Sequence, residues 1–112
     1  MSKPPVIEDG RQSPLEMLIL KALALESMHG WGISLRLQQL SRDVLRIHQG
    51  TLYPALHRME RAGWITSEWR ASENNRRAKY YALTRTGRQQ LTVERETWSA
   101  FARAIEEVMA ST

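Results

Sequence analysis

The sequence predicts a mainly α-helical domain that carries one small β-hairpin. Three observations predict it. Apolar residues recur at helical spacing in four segments, one early, one near residues 32–40, one near 50–62 and a long one after residue 84. Two short runs rich in aromatic and β-branched residues, WITSEWR (64–70) and AKYYALT (78–84), flank the turn-prone ASENNRR. At 112 residues, the chain has room for a single modest core.

Each element follows from its residues. Residues 1–12 hold two prolines, a glycine and few large apolar groups, the composition of a flexible arm. In SPLE, Ser13 can cap a helix, Pro14 suits its first position and Glu16 completes a capping box. The helix that follows, LEMLILKALALES, is apolar nearly all round. Leu15, Leu18, Ile19, Ala22 and Leu25 form one face, and Met17, Leu20 and Ala24 cover much of the rest. Such a helix must be buried on more than one side, so part of it, Leu18 included, is expected to face a second subunit.

MHGWG interrupts the pattern with two glycines. A second helix is expected near Gly32–Leu40, with Ile33, Leu37, Leu40 and Val44 at helical spacing. SRDVLRIH (41–48) connects it to a third helix, about Gly50–Ala62, which Gly63 would close in the left-handed conformation. The Asn74-Asn75 pair tolerates turn geometry between the two strands. Thr84 can then cap a last helix reaching about Met109. Residues 13–84 are thus expected to form one domain, and 85–112 a helix that leaves it.

Charge is uneven along the chain. Residues 36–88 hold 11 Lys or Arg against 4 acids, whereas both ends are slightly acidic. Thirteen of the 16 basic residues are Arg, the residue whose fork fits phosphate and guanine. A basic centre of this kind points to a polyanion. No apolar run approaches the roughly 20 residues that span a bilayer. The first residues are too polar for a secretory signal, so a cytoplasmic protein without a membrane partner is expected. Cysteine is absent, which excludes disulfides and thiolate chemistry.

The stretch QGTLYPALHRMERAGW sharpens the expectation. On a helical wheel Leu52, Leu56 and Met59 point one way, flanked by Ala55 and Ala62. Gly50, Pro54, His57 and Arg61 point away, with Tyr53 and Arg58 on the flanks. A merely solvated helix face would favour Glu, Lys, Gln and Ala. Here the outward first turn is stripped of bulk and the next turns carry long donors, which suits entry into a DNA groove. Pro54 costs little if the helix starts close to Gly50. Gln49, Thr51, Tyr53, Pro54, His57, Arg58 and Arg61 are therefore the expected DNA-reading set. Arg76, Arg77 and Lys79 of the hairpin are expected on a neighbouring phosphate or minor groove.

Helix, helix, helix, strand, strand in this order spells a winged helix-turn-helix. The residues also resemble the PadR family of bacterial transcription regulators. LEMLILKALAL, HGWGISLRL, GTLYPALHRMERAGWI, SEWRASENNRRAKYYALT and LTRTGRQQL carry the resemblance, over roughly Pro14–Leu91. It implies a homodimeric DNA-binding regulator, usually a repressor, with the C-terminal helix as the dimerisation element. A single helix there resembles the short subgroup of the family.

The last helix has its own register. Leu91, Trp98 and Ile105 are seven apart, with Phe101 and Val108 at the intervening d-like positions, three residues after Trp98 and Ile105, and Glu94 at the third such position. This stripe needs a cover, for which the first helix of a second copy is a candidate. Two-fold pairing would place two recognition helices about one DNA turn apart, roughly 34 Å, on an inverted repeat. Trp98 is either an interface anchor or, as some short-subgroup relatives imply, part of a site for a planar aromatic ligand.

Other functions fit less well. His29, His48 and His57 lack metal-ligand spacing with carboxylates, and no catalytic acid pair, phosphate loop or nucleophile elbow occurs. No catalytic residue, metal or cofactor is expected. The alternative is a winged helix that binds another protein without reading DNA. Double-stranded RNA is disfavoured, because its narrow major groove does not admit such a helix.

Overall fold

The computed structural model describes residues 14–112, so the expected arm and the Ser13 cap lie outside the described residues. Four helices and three short strands follow in the order α1 (Leu15–Leu25), β1 (Met28–His29), α2 (Gly30–Leu40), α3 (Gln49–Arg61), β2 (Ile65–Ala71), β3 (Arg77–Leu83) and α4 (Arg85–Ala110). The strands form one antiparallel sheet in the order β1-β3-β2. This is a winged helix-turn-helix, as the sequence predicts.

The core lies where α1, α2 and α3 meet the base of the sheet. Ile19, Leu20, Ile33, Leu52, Leu56, Met59 and Ile65 are its large, fully buried side chains. The face of α1 differs from expectation. Ile19, Leu20, Ala22 and Leu23 are buried, while Leu25 is exposed. Leu15 and Leu18 of the expected face do pack against the core from its edge. A helix apolar on every side does not reveal its own rotation, and packing widened the buried stripe toward Leu20 and Leu23. The helix starts after Pro14 rather than at it, and the Glu16 carboxylate turns toward Arg58.

MHGWG does more than interrupt. Met28 and His29 pair with Tyr81 and Tyr80 as a third strand, and α2 begins at once. His29 caps it: Nδ1 accepts the Gly32 N–H at 2.9 Å. After Leu40, Arg42 and Asp43 adopt left-handed backbone, and residues 44–48 run irregularly to α3.

α3 ends as expected. Gly63 is left-handed at φ 82°, its N–H donates to Glu60 O, and the Trp64 N–H donates to Met59 O. These two bonds are a Schellman motif. The chain then makes a corner. The Thr84 hydroxyl donates toward Gly63 O at 2.7 Å and Trp64 O at 2.9 Å, and accepts from Gly87 N as the cap of α4. Gly87 is buried against Trp64, where a Cβ would collide with the Trp64 carbonyl oxygen.

α4 is 26 residues long, about 39 Å at the helical rise. It packs on α1 of the same chain, and Leu91 joins the core cluster from the side, as does Leu18. The start of the stripe is thus partly covered within the chain itself. Farther along, Trp98 and Phe101 are half-buried and pack on each other at 5.6 Å, while Ile105 and Val108 are exposed.

Gly87→Ala should lower stability by about 1–3 kcal/mol, because the Trp64 carbonyl cannot retreat. Gly50→Ala should be neutral or stabilising by up to about 1 kcal/mol, since nothing lies within 4 Å of the added methyl. Urea midpoints of the two variants check this, and equal destabilisation would contradict the packing described.

Candidate nucleic-acid interface

Rotation of α3 follows from four buried side chains. Leu52, Ala55, Leu56 and Met59 are fully buried, so the opposite side of the helix must face outward. Gly50, Thr51, Tyr53, Pro54, His57, Arg58 and Arg61 are all exposed. α4 does not cover them.

The outward side divides into three strips. Gly50, Pro54 and Arg61 form its crest, with His57 beside them. Thr51 and Arg58 lie toward α1, where the Arg58 guanidinium contacts Glu16 at 3.2 Å. Tyr53 and His57 lie toward the wing. Gln49 is less free than expected. It is the first residue of α3, and its amide donates to the Ser34 hydroxyl at 2.8 Å, tying the start of α3 to α2.

Pro54 requires a correction. α3 starts at Gln49, so Pro54 lies beyond the first turn. It removes the donor that the Gly50 carbonyl would otherwise receive. Gly50 lies on the exposed crest, where water or a ligand donor can reach its carbonyl. Glycine at position 50 leaves that spot open.

The wing brings its chemistry through one strand face. Pairing Ile65 with Leu83, Ser67 with Tyr81, Trp69 with Lys79 and Ala71 with Arg77 puts these eight residues on the same side. At the base that side is apolar, and Ile65 and Tyr81 are buried. Beyond the body of the protein, the same side turns basic and aromatic. Arg77 lies over the Trp69 ring at 5.9 Å, and Asn75 makes the tight tip with φ 57°. Arg70, on the other side, lies over Tyr80 at 4.3 Å.

A cleft of about 910 Å³ opens between the wing, the start of α2 and the wing side of α3. Tyr53, His57, Trp69, Arg76, Arg77 and Lys79 line it together with Trp31. Tyr53 is seated by Gly30, where a Cβ would come within 2.7 Å of the phenol oxygen. Five expected contacts from two distant segments thus share one cavity. Lys79 is the exception in kind: its ammonium lies 3.8 Å from Glu60 of α3. Trp31, Trp69, Gly30 and Glu60 did not emerge from the sequence as site residues. For Trp69 a signal existed, since the hairpin register sets it opposite Lys79.

Among the described residues no cluster of three or more His, Asp or Glu could hold a metal ion, and no helix is long and apolar enough to cross a membrane. The Tyr81 phenol is buried at the base of the wing. Burial, then the nearby Tyr53 and Glu60, push it above its ordinary value. The folded chain therefore holds this proton longer than the unfolded chain does. Its contribution to stability is present below about pH 10 and is lost as pH rises past it. Urea midpoints from pH 8 to 11 should fall less steeply for Tyr81→Phe than for the native chain.

Comparison with known proteins agrees with this architecture. Residues 19–93 match the family model described as the transcriptional regulator PadR-like family. The chain is 36% identical to Transcriptional regulator Rv3488 of Mycobacterium tuberculosis, over 85% of each protein. A transcriptional regulator from Clostridium thermocellum superposes with a TM-score of 0.78 at 26% identity, covering 89% of this chain and 97% of that one. A PadR family transcription regulator from Clostridium difficile gives 0.72 at 27% identity, covering 88% and 100%. From its helices to its wing, this chain belongs to the PadR-like family of transcriptional regulators.

Proposed function

We propose that the chain is a homodimeric repressor that reads duplex DNA with α3 and grips the backbone with the wing. One observation carries the reading. The side of α3 bearing Gly50, Pro54, His57 and Arg61 is open, and the wing's Arg76 and Arg77 share a cleft with Tyr53 and His57. A helix with a slim, open first turn can approach base edges closely, while arginines beside it neutralise phosphates. Thr51, Tyr53, His57, Arg58 and Arg61 are the side chains able to reach DNA from α3. Arg58 would exchange Glu16 for phosphate, a small cost for an exposed pair.

Dimerisation through α4 is supported by its far half. Ile105, Val108 and Met109 are 43%, 69% and 75% exposed and continue the stripe begun by Trp98 and Phe101. A second α4 covering them would set two α3 helices on an inverted repeat. A planar aromatic ligand held at Trp98 between the two copies would shift the spacing of the reading heads and release DNA.

Selection of bound sites from random duplexes should return an inverted repeat with half-sites one helical turn apart. With about six phosphates engaged per dimer, affinity should fall roughly a thousandfold between 50 and 200 mM salt. Arg77→Ala should weaken all sequences alike, whereas Tyr53→Ala should weaken the selected site most. Selected pools without a shared motif, or binding indifferent to salt, would refute the reading. Titration with planar cationic dyes should quench tryptophan emission in the native chain and not in Trp98→Ala; unchanged emission in both removes the ligand.

A further inference from the structure

Glu60 stands on the wing side of α3 and uses both carboxylate oxygens on the wing. Oε2 accepts the Ser67 hydroxyl of β2 at 2.6 Å, and Oε1 faces the Lys79 ammonium of β3 at 3.8 Å. Ser67 pairs with Tyr81, and Lys79 follows two residues before it on the same face. One carboxylate therefore spans both strands, with the buried Tyr81 beside it. Below this point Ile65 and Leu83 join the wing to the core. Above it, toward Trp69 and Arg77, the hairpin leaves the body. Among the described residues, Ser67 and Lys79 on Glu60 are the side-chain polar contacts that join α3 to the wing.

A negative charge at this place is unexpected on a surface meant for DNA. Its placement against Lys79 explains it. The ammonium is matched already, and the carboxylate and ammonium are only about one-third exposed, so water screens them incompletely. Moving Lys79 onto a phosphate would leave Glu60 facing the polyanion without its cation. Three donors of an ammonium on a flexible stem suit a shared strut, where a guanidinium fork suits phosphate.

We propose that Glu60 is a positioning residue that sets the angle of the wing against α3, and that Lys79 is its counter-ion rather than a phosphate contact. The proposal rests on the DNA-binding reading for its effect on affinity, but its structural half is independent of DNA. Fixing the angle lets base contacts from α3 and phosphate contacts from Arg76 and Arg77 form together. A loosened wing would still grip backbone and would lose the joint register.

Glu60→Gln, Lys79→Gln and Ser67→Ala test this in the full chain. Amide hydrogen exchange of residues 67–79 in the free protein should speed up in all three. Glu60→Gln frees Lys79 for phosphate, so its log affinity against log salt should steepen by about 0.9 per protomer on random duplex. Its preference for the selected site over random duplex should drop about tenfold. Lys79→Gln should leave the salt slope as in the native chain while also lowering the preference. A slope that becomes shallower by about 0.9 per protomer in Lys79→Gln, or wing exchange unchanged in Glu60→Gln and Ser67→Ala, would overturn the proposal. A native chain that binds no duplex refutes DNA binding alone, and hydrogen exchange then decides whether Glu60 holds the wing.

Discussion

The rotation of α3 about its own axis is the constraint on which the rest depends. Leu52, Ala55, Leu56 and Met59 are sealed into the core, two of them leucines worth about 1.5–3 kcal/mol each when buried. Turning the helix by one residue would drive apolar groups into water and polar ones into the core. No surface interaction in this molecule can offset that. Glycine, proline, histidine and arginine on the far side are therefore presented outward by packing, with no contact of their own needed to hold them there.

A single backbone corner passes this orientation on. The Schellman close of α3 at Gly63 delivers Trp64, whose carbonyl receives the Thr84 hydroxyl and backbone N–H. The same hydroxyl caps α4, and Gly87 allows α4 to approach the corner without a Cβ. α3, the wing and α4 thus diverge from one small hydrogen-bonded node.

Polar pairing around the outward side of α3 is organised more tightly than the charge count suggests. Gln49 is engaged by Ser34, Arg58 by Glu16 and Lys79 by Glu60. Each ties α3 to a different neighbour: α2, α1 and the wing in turn. Arg58–Glu16, the exposed pair of the three, contributes little stability. What the three restrict is the number of orientations available before a partner arrives.

Much of the plan was legible in the sequence. Periodicity identified the helices, Gly63 and Thr84 marked their ends, Asn75 marked the turn, and the wheel of residues 50–61 separated core from exposed side. Each of these signals is local: a repeat of 3.6 or 2, a cap, or a left-handed position. Tertiary structure alone decided which stripe of the uniformly apolar α1 is buried, that Met28 and His29 form a third strand, and that α4 begins on its own α1. It also placed Trp31, Glu60 and the wing around one cleft. Those outcomes depend on contacts between segments far apart in the chain, and a residue's own neighbours in sequence carry no record of what it will meet in space.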